Sequence, residues 1–121
     1  MITAAILLAA ATADPISGAW EGTSLCQVKP SPCRDEHAVY RFTQTAPGRY
    51  KLDGYKVVGG KELFMGPMNV TFDAARGELQ GTIGSNRGPS RLRLTLKSNR
   101  LSGQLSLGDG TVYRLIDVTK R

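Results

Sequence analysis

Histidine, tryptophan and cysteine are scarce in this chain, and their scarcity excludes most catalytic and metal-binding arrangements. The 121 residues include one histidine, one tryptophan and two cysteines. Structural zinc sites draw on four Cys or His ligands, and a hydrolase triad needs a histidine beside a nucleophile. The only histidine, His37, follows Asp35 and Glu36. It could serve as a general base or a lone metal ligand, or it could be a surface residue in a turn.

The glycine motifs that position nucleophiles or phosphates are also absent. None of the 14 glycines forms G-x-S-x-G, G-x-G-x-x-G or a phosphate-binding P-loop. We therefore predict a protein that is not an enzyme, with no catalytic residue, no cofactor and no metal site.

No window of helical length shows a 3.6-residue hydrophobic period, whereas alternation with a period of two recurs throughout the chain. In the clearest case, Leu92, Leu94 and Leu96 alternate with polar residues, and turn residues separate successive segments. Gly54 is expected to form either a bulge or a sharp bend in the third strand. The predicted strands are residues 16–26, 38–43, 49–58, 61–73, 78–83, 91–97, 101–107 and 111–119. Short links make neighbouring strands antiparallel, so we predict an all-β, up-and-down barrel of about eight strands.

The first 13 residues are apolar and uncharged, and they end in the small residues Ala11-Thr12-Ala13. Because a membrane-spanning helix takes about 20 residues, this segment is too short to span a bilayer. It is typical of a signal peptide. We predict a signal peptide at 1–13, a barrel domain at 14–121 with no transmembrane segment, and a periplasmic or secreted protein.

Cys26 and Cys33 flank a short segment that contains Pro30 and Pro32. Disulfides persist in exported proteins, and a redox pair usually has the closer spacing C-x-x-C. We predict a structural disulfide between the two cysteines; a redox pair or two metal ligands are the alternatives.

Gly18-Ala19-Trp20 near the start and Arg114 near the end resemble the calycin superfamily of lipocalins and fatty-acid-binding proteins. The resemblance implies that Gly18 and Trp20 close one barrel end and that Arg114 packs over the indole. Residues 18–23, 29–33 and 109–114 also make nearly all of the chain after Ala13 similar to small secreted lipocalin-like proteins of bacteria. Those proteins have no assigned activity, so the resemblance implies a fold and a compartment but no active site.

Basic residues outnumber acidic ones by 16 to 10, which gives a net charge of +6. Some of this charge alternates with the leucines of the sixth predicted strand. The candidate anion-binding residues are Arg87, Arg91, Arg93, Lys97 and Arg100. They could bind anionic lipid headgroups, lipopolysaccharide or another polyanion, or they could form a solvated face that prevents aggregation. Stacking aromatics are missing from this face, so no sequence-specific nucleic-acid binding is predicted.

Apolar residues cluster in the first half of the chain and could line a ligand cavity. The candidates are Tyr40, Phe42, Phe64, Met65, Met68, Val70 and Phe72. The interior of an eight-stranded barrel either fills with side chains or holds one small ligand. We predict a binding protein for a small apolar ligand inside the barrel or an anionic surface outside it. The alternative is an interaction or inhibitor module for another secreted protein. Periplasmic lysozyme inhibitors are also small disulfide-bearing barrels, but a basic barrel matches basic lysozyme poorly.

Overall fold

Eight antiparallel strands, each paired with the next, close into a barrel when β1 pairs with β8. The structure is a computed structural model, and it describes residues 14–28, 32–84 and 88–121. The strands are β1 Gly18–Cys26, β2 Glu36–Ala46, β3 Arg49–Val58, β4 Lys61–Asp73, β5 Glu78–Ile83, β6 Ser90–Lys97, β7 Arg100–Ser106 and β8 Val112–Lys120. The predicted all-β, eight-stranded antiparallel barrel is confirmed. The predicted signal peptide at 1–13 and the candidate residue Arg87 lie outside the described residues.

Alternation along the strands determines which side chains face the core. On β6, Leu92 and Leu94 are buried while Arg91 and Arg93 are exposed, as the sequence predicts. The same parity holds along β8, where alternate residues from Arg114 to Val118 are buried. Burial of the leucine side chains stabilises the barrel by roughly 1.5–3 kcal/mol each.

At two glycines, paired strands approach each other more closely than a side chain would allow. A Cβ atom on Gly22 would lie 2.0 Å from the Asp117 carbonyl oxygen, and one on Gly103 would lie 2.0 Å from the Arg93 carbonyl oxygen. Any other residue would force these strands apart, so both glycines are needed for the tight curvature of the barrel.

One end of the barrel is closed by Trp20 and by the segment that precedes β1. Trp20 is fully buried, meets the Phe42 ring edge-on at 6.5 Å and donates a hydrogen bond from Nε1 to the Ile16 carbonyl oxygen at 2.8 Å. Asp14 holds this segment in place, because its carboxylate accepts hydrogen bonds from the Tyr50 hydroxyl at 2.6 Å and from backbone amides. We call this the Trp20 end.

The prediction that Arg114 packs over Trp20 is wrong. In the β1–β8 register Trp20 is opposite Lys120, and Arg114 is opposite Cys26. Six residues separate those two positions on β1, which at about 3.3 Å per residue places Arg114 roughly 20 Å away, near the other end. Lys120 covers the indole instead, with Nζ 5.7 Å from the ring centroid. Gly18 lies beside Lys120 at the Trp20 end.

A bulge interrupts the pairing of β3 with β4. The register shifts between Gly54 and Tyr55, where the sequence predicts a bulge or a sharp bend. As a consequence Phe64 pairs with Tyr55, and their rings lie 5.4 Å apart. Phe64 is 57% exposed, so the expectation that it lines a cavity is wrong. Met65, the unpaired residue of the bulge, is also 53% exposed, but it borders the cavity described below.

Candidate functional site

A cavity of about 310 Å³ opens at the end of the barrel opposite Trp20. Leu52, Met68, Leu92, Leu105 and Ile116 contribute most of its apolar wall. The hydrophobic core begins at Trp20 and extends to Leu52, Met68, Leu92 and Ile116, which also line the cavity, so the cavity lies directly on the core. We call this space the barrel cavity.

The barrel cavity has a polar side formed by a buried guanidinium. Arg114 donates hydrogen bonds to the Ser24 carbonyl oxygen at 3.2 Å, the Ser24 hydroxyl at 3.3 Å and the Arg34 carbonyl oxygen at 3.0 Å. Its Nη2 lies 3.4 Å from a Glu36 carboxylate oxygen. The Arg114 and Glu36 side chains are only 11% and 15% exposed. The pair therefore presents a neutral but strongly polar surface to the cavity.

Tyr40 adds a hydroxyl to this polar side. Burial raises the pKa of Tyr40 to about 12, and the nearby Glu36 carboxylate acts in the same direction. A hydrogen bond with Ser24 and the charge of Arg114 act against this rise without cancelling it. At neutral pH Tyr40 therefore keeps its proton.

The predicted lining residues divide between the cavity and the core. Tyr40, Met65 and Met68 line the cavity. The others, apart from Phe64, pack in the core beneath it: Phe42, Val70 and Phe72.

Ser24, Glu36 and Gly54 line the cavity although the sequence analysis does not select them. The alternation that places Trp20 and Gly22 inside also reaches Ser24, and that of β2 reaches Glu36 from Ala38. The sequence pattern does not reveal Ser24 and Glu36 as inward-facing residues, because polar side chains at inward positions interrupt the hydrophobic alternation.

The disulfide is confirmed, and it lies beside the barrel cavity. Cys26 and Cys33 are bonded, with their Cα atoms 5.8 Å apart. The amide of Cys26 also donates a hydrogen bond to the Asp35 carboxylate at 2.8 Å. The bridge thus anchors the connection between β1 and β2. Arg34 in this connection and Glu36 at the start of β2 both accept hydrogen bonds from Arg114.

His37 lies outside the barrel and pairs with Glu21. A hydrogen bond from Arg121, together with the bond to His37, lowers the pKa of Glu21. The described residues contain no group of three or more His, Cys, Asp or Glu side chains placed to hold a metal ion.

The candidate anion-binding residues do not form one row. Arg91 and Arg93 line a shallow groove of about 740 Å³ on the outer face of the barrel. Lys97 is exposed on the same strand but is not among the groove residues. Arg100 is paired with Asp117 across β7 and β8.

Within residues 14–28, 32–84 and 88–121, no helix has the length and apolar character needed to cross a membrane. No protein-family model matches the chain, and no curated protein matches it significantly.

Proposed function

We propose that this protein is an exported, lipocalin-like binding protein that holds a small, mainly apolar ligand in the barrel cavity. The observation that carries the proposal is the open space of about 310 Å³ above a filled core. Ligand pockets occupy about 300–1,000 Å³ and combine apolar walls with a few polar groups, and the barrel cavity lies at the small end of that range.

The polar side of the cavity favours a ligand with an uncharged polar group. The Arg114 guanidinium already faces the Glu36 carboxylate, so a ligand carboxylate would compete with an existing pair. A hydroxyl, carbonyl or amide could instead bond with the protonated Tyr40 hydroxyl and with Ser24. The apolar body of the ligand would then lie against Leu92, Leu105 and Met68.

A glycine in the cavity wall provides the test. The atoms nearest to a Cβ on Gly54 would be in the Tyr40 ring, at 3.8 Å, and the Gly66 carbonyl oxygen, at 3.9 Å, and both distances are ordinary contacts. The substitution Gly54→Leu should therefore fill the cavity without disturbing the strand. Thr43→Leu, at an exposed position on β2, adds a similar apolar side chain away from the cavity.

The apolar fluorophore N-phenyl-1-naphthylamine serves as the probe. We expect wild type and Thr43→Leu to bind it alike, with Gly54→Leu at least tenfold weaker and thermally no less stable. Equal binding by all three proteins would show that the probe lies elsewhere and would overturn the proposal. If Gly54→Leu loses both binding and stability, the smaller substitution Gly54→Ala distinguishes the two causes. It should weaken probe binding in part and leave the melting temperature unchanged.

The proposed export is supported by the disulfide, since such bridges persist in oxidising compartments. If residues 1–13 act as a signal peptide, protein recovered from the periplasm or medium begins at Asp14. Mass spectrometry of the amino terminus checks this, and recovery of an uncut chain in the cytoplasm would contradict it.

A second candidate function, an interaction module, is favoured by the exposed apolar surface of the β3–β4 hairpin. Val58, Leu63 and Phe64 are each at least 44% exposed. Replacing Leu63 and Phe64 with serine should abolish binding to a protein partner and leave probe binding in the cavity intact. If the double variant loses only probe binding, the hairpin serves the cavity and the interaction function is wrong.

A further inference from the structure

The outer groove crosses β4, β5, β6 and β7, on the opposite side of the sheet from the core. It lies where the pairing of β4 with β5 ends, at Val70 and Gly81. Its described lining carries Asn69, Thr71 and Gln80 on one side and Arg91, Arg93 and Gln104 on the other. The groove is concave, and its amides, hydroxyls and guanidinium groups share the lining with the apolar residues Pro89, Leu92 and Leu107.

The strand register arranges these side chains in rows. One row runs from Arg49 through Thr71, Gln80 and Arg93 to Gln104, each residue directly opposite the next. Neighbouring strands lie about 4.8 Å apart, so Arg49 and Arg93 stand roughly 14 Å apart on either side of the neutral polar residues.

A second row runs parallel to the first. Thr82, Arg91 and Ser106 are opposite one another, and Lys51 is opposite Asn69. Alternate residues along β6 place Arg91 and Arg93 about 7 Å apart. Basic side chains therefore border the neutral polar strip on both sides.

The two groove arginines differ from several other arginines in their charge pairing. Arg41 lies against Glu62 and Arg100 against Asp117. In the described part of the chain Arg91 and Arg93 have no acidic partner, and no acidic residue is among the groove residues. Two neighbouring guanidinium groups without a counter-charge form a site for an anion.

The residues that line the outer groove favour one class of anionic ligand over the others. Single-stranded nucleic acid stacks its bases on aromatic rings, and the described groove residues include none. An anionic membrane is contacted by a protruding surface rather than by a concave one. Hydroxyl-rich polymers suit amide and hydroxyl side chains, and carboxylate or sulfate groups suit paired arginines.

We propose that the outer groove binds a segment of an acidic polysaccharide. Arg91 and Arg93 bind its carboxylate or sulfate groups. Gln80 and Gln104 lie on either side of Arg93, and their amide nitrogens donate to Glu78 and Ser106, so their carbonyl oxygens accept hydrogen bonds from sugar hydroxyls. This site is independent of the barrel cavity, so either proposal can fail while the other holds.

The test measures binding of polygalacturonate and heparin, with neutral dextran, a deoxythymidine oligomer and anionic phospholipid vesicles as comparison ligands. Arg91→Glu combined with Arg93→Glu should weaken polygalacturonate binding on the order of 100-fold, because each lost charged hydrogen bond is equivalent to about a tenfold loss of affinity. The charge-matched control combines Lys61→Glu with Arg76→Glu, two exposed positions outside the groove. The control should bind within about threefold of wild type at physiological salt, where the Debye length is about 8 Å.

A third variant distinguishes a specific binding site from nonspecific attraction between opposite charges. Gln80→Ala combined with Gln104→Ala leaves the net charge unchanged, and it should weaken binding severalfold. Equal losses in the two charge-reversed variants, no effect of the glutamine changes, or no polygalacturonate binding at low salt would each overturn the proposal. Tighter binding to the vesicles or to the oligonucleotide than to either polysaccharide would also overturn it. The far-UV circular dichroism spectrum and the melting temperature should remain close to those of wild type in every variant, which confirms that each is folded.

Discussion

Replacing Arg114 with methionine should destabilise the barrel strongly, because it leaves the Glu36 carboxylate buried without a partner. The guanidinium donates to three acceptors besides Glu36, and both side chains of the pair are at most 15% exposed. Removing one member of a buried ion pair costs about 3–5 kcal/mol. Domains of this size unfold at about 5–15 kcal/mol, so Arg114→Met should lose a large share of the total stability.

A double variant also removes the Glu36 carboxylate charge, which Arg114→Met leaves unpaired. Arg114→Met combined with Glu36→Gln should recover more than half of the loss, since the cost arises mainly from the unpaired carboxylate. Urea denaturation at pH 7 measures the free energy of unfolding for wild type and both variants. A loss below about 1 kcal/mol in the single variant, or a double variant no more stable than the single one, would refute this reasoning.

Tryptophan fluorescence reports independently on where Arg114 lies. Trp20 is the only tryptophan in the chain, and Lys120 rather than Arg114 is positioned over its ring. Lys120→Met should therefore alter the emission of the folded protein, while Arg114→Met should leave it unchanged. The opposite result would place Arg114 at the Trp20 end.

Three further predictions concern stability. Trp20→Ala should lower the free energy of unfolding by about 3–5 kcal/mol, measured by urea denaturation, and an unchanged melting temperature would contradict its role in closing the barrel. Burial of Asp14 opposes its ionisation, but hydrogen bonds from Ser17, Tyr50 and backbone amides outweigh this and lower its pKa to about 2. Its stabilising contribution, about 1 kcal/mol because the carboxylate is partly solvated, should be complete above pH 4 and lost as the pH falls toward 2. Asp14→Asn should show a smaller change over that interval, and identical pH profiles would refute the assignment. Reducing the Cys26–Cys33 bridge should cost roughly 2.5 kcal/mol, as expected for so short a loop, and no change in the melting temperature on reduction would contradict a structural role.

The sequence predicts whether a side chain faces the barrel interior or the solvent far better than it predicts where that side chain lies along the barrel axis. Alternation places Arg114 correctly on the inward face of β8, because parity depends only on local spacing. Whether it meets Trp20 depends on the register between β1 and β8, which are remote in sequence. Packing Arg114 on Trp20 was implied by a resemblance, and the register puts Lys120 there instead.

The bulge limits the predictions for β4 in the same way. The register shifts next to Gly54, where the sequence predicts an irregularity, but the unpaired residue is Met65 on β4. Its effect on the partner strand depends on which residue is left unpaired, and local sequence does not specify that. Both Phe64 and Met65 are more than half exposed, but only Met65 borders the cavity, so one of two adjacent predictions fails while the other holds.

The pairing of β1 with β8 has a consequence for how the chain folds. Every other pairing joins consecutive strands, whereas this one joins residues about 90 to 100 positions apart. Contacts so distant in sequence form slowly, because the entropy of closing a long loop is lost before they stabilise the chain. We expect the meander to assemble first and the β1–β8 seam to close last. Until it closes, β1 and β8 remain unpaired edges that can join another molecule, so aggregation during refolding should rise steeply with protein concentration.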